Sequence, residues 1–302
     1  MTRIYVLVTL LGGGMLAAVA AQQSQPKVVE VEKLADNLFI LKGGGGNTAV
    51  FVTAAGVTVV DTKEPGWGQP IINEVKELTS KPITTIINTH THFDHVSGNV
   101  EFPATVDVVV QENTKANMER MSPVPGYESE SSGPNVFKEH GGRGMPTRTF
   151  KDRLTLGKGA DQIDLYYFGR GHTNGDAFVV FPALGVMHAG DIFAGKGPPL
   201  LDANNGGSGV AIGDTLAKAH AGIKAVNRVI TGHGDVMTWA DLDEYAKFNK
   251  EFLAWVTAAM KSGKTADAVS SEYTIPATYK GYTPNADQIK RNVAAIYKEL
   301  AR

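Results

Sequence analysis

The chain contains no cysteine, which excludes thiolate metal ligands, cysteine nucleophiles, disulfides and a lipobox anchor. A chain without a stray thiol also suits an oxidising compartment. An excess of charge is missing as well, the formal net charge being −2. No basic field exists to draw in nucleic acid, and no run of like charge marks a tail. After the N-terminus, no segment approaches the roughly eighteen apolar residues of a membrane span. Neither a dinucleotide fingerprint nor a phosphate loop occurs, since Gly43-Gly44-Gly45-Gly46 fits neither spacing. What remains is 302 residues, 42% hydrophobic and 20% charged, enough for one or two domains with a substantial core.

Residues 1–20 read as a signal peptide. Arg3 supplies a short positive region, Ile4 to Val19 is largely apolar, and Ala18-Val19-Ala20 offers a cleavage site after Ala20, with Ala21 an alternative. Gly12-Gly13-Gly14 disfavours a stable membrane helix there. Residues 21–27 read as a tether, and the mature chain is expected to be periplasmic or secreted, with no stable membrane anchor.

The next stretch has β character. Val28–Val31, Leu38–Leu41, Ala49–Val52 and Val57–Val60 are short apolar segments separated by turn residues. Gly43 to Gly46 joins the middle pair, either as a mobile flap or as a permissive turn. Gln69 to Thr79 has helical spacing, and Ile83 to Ile87 reads as a buried strand opened by Pro82. A strand is expected at Val106–Val110 and a helix over Glu112–Met121. Residues 122–147 show no periodicity and read as a substrate lid or a surface insertion. Strands return at Ile163–Phe168, Ala177–Phe181, Val186–His188 and Arg228–Ile230, with a helix over Asp214–Val226. The irregular segment 193–211 reads as an adaptable pocket wall. Thr238-x-x-Asp241 resembles a capping box ahead of a long helix, and Thr283-Pro284 is expected to open the last one.

Chemistry concentrates where the Ile83 strand ends. His90, His92, Asp94 and His95 fall within six consecutive residues. Neutral imidazole and carboxylate are ligands that Zn²⁺ and related divalent metals prefer. In extended chain His90 and His92 can face one point, while Asp94 and His95, beyond a turn, face a second. Such a cluster needs more ligands than it supplies. His172, Asp191 and His233 each sit beside glycine at a later strand-to-loop junction.

H-x-H-x-D-H at His90–His95, then Gly171-His172-Thr173, Gly190-Asp191 and Gly232-His233-Gly234, follow one another in order. With these elements the chain resembles the metallo-β-lactamase superfamily over about residues 28–260. The resemblance implies an α/β fold, an αββα sandwich of two mixed β-sheets flanked by helices, over residues 28–302. It implies two Zn²⁺ ions, with another divalent metal such as Fe or Mn as an alternative. His90, His92 and His172 would hold one; Asp94, His95 and His233 the other; Asp191 would bridge them. A hydroxide shared by the metals would be the nucleophile, and Asp94, the catalytic carboxylate, would orient it or pass on its proton. Asp61, Asp176 and His188 are candidates to orient the ligands from behind, Asp176 leaning toward a turn role. His140 and His220 match nothing and are expected at the surface.

The activity so implied is an exported dinuclear zinc hydrolase cleaving an acyl C–N or C–O bond in a small β-lactam, lactone or ester. The alternatives are a mononuclear iron sulfur dioxygenase of the same superfamily and a phosphodiesterase. Asp191 departs from the true β-lactamases, which usually lack a bridging aspartate.

Overall fold

The computed structural model describes residues 27–301. The expected signal peptide and nearly all of the tether lie outside the described residues. Two mixed sheets form. The first comprises β1 (Glu30–Ala35), β2 (Leu38–Lys42), β3 (Thr48–Val52), β4 (Val57–Val60), β5 (Ile83–Ile87), β6 (Asp107–Gln111) and β7 (Arg148–Phe150), in that spatial order. Pairing is antiparallel from β1 to β4 and parallel from β4 to β7. The second sheet runs β13 (Met237–Thr238), β12 (Arg228–Thr231), β11 (Val186–Gly190), β10 (Phe178–Phe181), β9 (Ile163–Tyr166) and β8 (Arg153–Leu156). Only β11 and β12 are parallel in it.

Alternation along each strand builds three apolar layers, because successive side chains point to opposite faces. Leu38, Ile40, Phe51, Val60, Ile87 and Val109 face inward and meet Leu165, Val179, Phe181, Val186 and Ile230 of the second sheet. The Phe51 and Phe181 rings lie 4.9 Å apart across this interface. Each buried ring removes enough apolar surface to contribute about 2–3 kcal/mol. The other face of the first sheet, including Leu41, Val50, Val59, Ile86 and Val108, packs on α1 (Gly68–Leu78), α2 (Phe93–Val96), α3 (Glu112–Met118) and α5 (Val136–Glu139). Between the last two lies a single turn, α4 (Glu128–Ser131). The outer face of the second sheet packs on α6 (Ile212–Gly222) and α7 (Trp239–Lys261), while α8 (Ala266–Glu272) and α9 (Ala286–Leu300) pack on α7. The result is helices, two sheets and helices in four layers. Among the described residues, no helix is long and apolar enough to cross a membrane.

Some expected boundaries move. Thr84 of β5 is exposed and only Ile86 and Ile87 are fully buried, because the strand enters the core at its C-terminal end. β1 starts at Glu30 rather than Val28, and α3 stops at Met118, with Met121 in left-handed backbone. Helix α6 spans Ile212–Gly222, earlier than expected, since Ile223 is already extended. Pro284 does not start α9: the side chain of Asn285 accepts from the Gln288 N–H and caps it. The Thr238–Asp241 capping box of α7 is present with both of its bonds.

Candidate metal centre

Four strand ends deliver the site to one edge of the sandwich. β4 leads to Asp61, β5 to Thr89–His95, β11 to Asp191 and β12 to His233, while His172 sits on the β9–β10 connection. After the extended His90–His92 segment, His92 is the N-cap of α2, so Asp94 and His95 turn away on its first turn. That local break divides the motif. His90, His92, His172 and Asp191 converge as one group, and Asp94, His95 and His233 as another. Asp191 lies between them: its Oδ1 is 3.2 Å from His95 Nε2, and its Oδ2 is 3.2 Å from His233 Nε2 and 3.9 Å from His172 Nε2. Asp94 Oδ2 is 3.2 Å from His233 Nε2 and 3.6 Å from His95 Nε2.

Each buried ring is fixed from behind. Thr89 Oγ1 donates to Asp61 Oδ2 at 2.7 Å, so its 3.0 Å contact with His90 is accepted from Nδ1–H. His95 Nδ1–H donates to the same Asp61 oxygen at 2.7 Å. His172 Nδ1–H donates to the Leu200 carbonyl at 2.7 Å, and His92 Nε2–H donates to Asp202 Oδ2 at 2.8 Å. These bonds select tautomers whose remaining lone pairs, on Nε2 of His90 and His172 and on Nδ1 of His92, point into the cluster. There they find no donor. His90 Nε2 and Asp191 Oδ1 are buried without a hydrogen bond, and His172 Nε2 and His92 Nδ1 face each other at 3.0 Å. Buried polar atoms are rarely left so. Convergent lone pairs with oriented tautomers fit a divalent cation, which would satisfy them together.

The protonation pattern agrees. Burial, reinforced by the neighbouring His95, His172 and His92, holds His90 well below the ordinary histidine range. Burial and His92 bring His172 down to about 4. In the other group, Asp191 raises His233 to about 10. His95 is raised too, because Asp191, Asp94 and Asp61 together outweigh its burial. Burial pushes Asp191 up, yet His233 and His95 hold it well below the usual carboxylate range. His90 and His172 are therefore neutral imidazoles, while the Asp94, His95 and His233 group balances carboxylates with protons, which an entering cation would displace.

Two glycines permit this crowding. A side chain at Gly232 would overlap the Asp191 carboxylate, and one at Gly46 would overlap the His95 ring. The Gly43–Gly46 run is thus a packed turn over the cluster rather than a free flap. Gly46 N–H donates to the Asp94 carbonyl at 3.1 Å, and the buried Lys63 Nζ donates to the Leu41 and Gly46 carbonyls at 2.8 and 2.7 Å. Burial lowers the Lys63 pKa to about 7 against the opposing pull of Asp61, Asp94 and Glu64.

The profile of the metallo-beta-lactamase superfamily matches residues 41–236. The chain belongs to the metallo-beta-lactamase superfamily. A hydroxyacylglutathione hydrolase of Nostoc punctiforme is 28% identical over 170 residues, 56% of this chain and 52% of that protein. A metallo-beta-lactamase type 2 of Elizabethkingia meningoseptica is 26% identical over 191 residues, 59% of this chain and 68% of that protein. A solved metallo-beta-lactamase from Pontibacter korlensis superposes with a TM-score of 0.59 at 18% identity, covering 74% of this chain and 99% of that one, and shares the fold. The chain spans about half the length of the hydroxyacylglutathione hydrolases it matches.

Against the superfamily motif, the structure brings together all seven expected metal-site residues. Asp176 sits apart from the rings: it accepts from the Thr173 N–H at 3.0 Å and from its hydroxyl, closing the turn that carries His172. Burial raises its pKa to about 6. His188 hydrogen-bonds no side chain of the cluster. Its Nε2 donates to the Asn47 carbonyl and its Nδ1 accepts from the Gly190 N–H, both at 3.0 Å. His140 is exposed, while His220 is half-buried on Trp239. Asp202, which holds His92, was not foreseen: one aspartate in an irregular segment looks like any turn residue. The Leu200 carbonyl leaves no trace in side-chain chemistry at all.

Proposed function

We propose that this chain is a hydrolase that holds two divalent cations, typically zinc, and cleaves an acyl C–N or C–O bond in a small substrate. The observation that carries the reading is Asp191, whose carboxylate stands between two histidine groups with one oxygen left unbonded. His90, His92 and His172 would hold one cation, Asp94, His95 and His233 the second, with Asp191 shared. Bound there, the cations would supply Lewis acidity toward a carbonyl oxygen and would acidify water toward neutrality.

The chain's own residues do the rest. Asp94 Oδ2 faces the space between His95 and His233, where it can accept a hydrogen bond from the attacking water and take its proton. Asp61, Asp202 and the Leu200 carbonyl keep the histidine tautomers fixed throughout. His233, with a side chain 41% exposed, marks the side open to substrate. Beside His92, Met121 and the start of segment 122–147, Ser122 and Val124, line a small recess that also includes Phe93. Arg3, the apolar run and Ala18-Val19-Ala20 support export to the periplasm or beyond.

A second reading, a thioester substrate, is favoured by the matches to hydroxyacylglutathione hydrolases, and attack occurs at the same kind of acyl carbon. Zinc-loaded chain should be assayed against β-lactams, lactones, esters, thioesters and phosphodiesters. Turnover of a lactam, lactone or ester is expected. Turnover of thioesters alone would move the assignment to the second reading, and turnover of phosphodiesters alone would defeat both.

A further inference from the structure

The last helix, α9, lies beyond the matched residues 41–236 and yet reaches the histidine cluster from behind. Its apolar side, Ile289, Val293 and Ile296, packs with Phe252 and Val256 of α7. One turn apart on the same helix, Gln288 and Asn292 are both buried and both direct an amide nitrogen at one carbonyl. Gln288 Nε2 and Asn292 Nδ2 donate to Pro199 O at 2.9 and 2.7 Å, and Gln288 Nε2 also donates to Asn292 Oδ1 at 2.9 Å.

Pro199 opens the short strap that orients two of the histidines. The next carbonyl, Leu200 O, accepts from His172 Nδ1–H, and two residues on, Asp202 accepts from His92 Nε2–H while its own N–H donates to the His172 carbonyl at 2.9 Å. Near the end of α9, Glu299 accepts from Ser208 Oγ at 2.6 Å and pairs with Arg170 at 3.3 Å. Ser208 N–H in turn donates to Gly171 O at 2.8 Å. The helix thus grips the loop carrying His172 at both ends. Anchoring the helix needs only its apolar side. Two amides desolvated on one carbonyl do something more, which is to fix where the strap lies.

We infer that Gln288 and Asn292 are positioning residues: through Pro199 to Asp202 they set the aim of His92 and His172, and so the cation affinity of the His90, His92 and His172 group. The inference rests on the metal-centre reading proposed above. Among the described residues, Asp94, His95 and His233 make no hydrogen bond to this strap, so their group serves as an internal reference.

The test uses the full chain, titrated with Zn²⁺ against a chelator and with Co²⁺ to read the two groups by their absorption. In Asn292→Leu, affinity at the His90, His92 and His172 group should fall about tenfold, the lower end of the effect of losing an outer partner of a metal ligand. Affinity at the other group should hold within about twofold, well short of that loss. Gln288→Met, which leaves the Asn292 bond in place, should give a smaller loss of the same kind and carries the test if Asn292→Leu does not fold. Val293→Ala loosens the same helix on its apolar side and should leave both affinities unchanged. Equal weakening of both groups, no weakening, or the same loss in Val293→Ala overturns the inference. A wild-type chain that takes up neither cation would instead defeat the metal-centre reading on which it stands.

Discussion

Asp191→Ala is expected to reduce bound metal from two ions to about one and to lower hydrolysis at least a hundredfold, beyond the 10–100-fold typical of outer partners. Asp191 is the carboxylate that faces both groups, with contacts of 3.2 Å to His95 and His233 and 3.9 Å to His172. Two dications a few ångströms apart repel by an amount on the order of ten kcal/mol even at an effective dielectric of about 20. Neutral imidazoles do nothing to offset that repulsion, so a shared anion decides whether the second ion stays. Asp94 remains in the variant and is enough for one. Asp191→Asn, which keeps the shape and removes the charge, should behave nearly as badly, placing the effect on charge rather than packing. Metal analysis with steady-state rates checks this. Two tightly held ions and full activity in Asp191→Ala would mean that the aspartate bridges nothing.

Asp94→Asn should separate holding a metal from moving a proton. The amide keeps an oxygen near His233 and His95 but accepts no proton, so the loss of proton transfer should cost about 10²–10⁴ in kcat. Occupancy of the Asp94, His95 and His233 group will also fall, and excess zinc should restore it. The rate should not recover with it, and the acid limb of the wild-type pH profile should be flattened in the variant. Recovery of full kcat on zinc addition would reduce Asp94 to a ligand.

Much of this site was legible because its chemistry is local in sequence. His90, His92, Asp94 and His95 announce themselves by spacing, and the division into two groups follows from a chain that is extended to His92 and helical after it. The strands were legible where a short apolar run is unbroken, as in Leu38 to Leu41, whose residues supply two different cores. Strand β7 is three residues long with two exposed, β13 is two residues long, and the Arg-Leu-Thr-Leu alternation of β8 spans only four residues, so each offers too short a period to read. The supports of the site were the least visible. Asp61 stands at the end of a recognisable strand, but Asp202, the Leu200 carbonyl, Gln288 and Asn292 come from segments that tertiary packing alone brings together. Gly43 to Gly46 shows the converse limit: composition permits a flap, and only the neighbouring His95 ring reveals a close approach.

The most direct measurement is the metal content of the chain purified without chelator, read together with its hydrolytic activity before and after metal removal and return. About two zinc ions per chain are expected, with activity lost on chelation and regained as the second ion returns, as in two-metal hydrolases. A chain holding a single iron and oxidising rather than hydrolysing its substrate, or one whose hydrolysis survives complete removal of metal, would contradict the account.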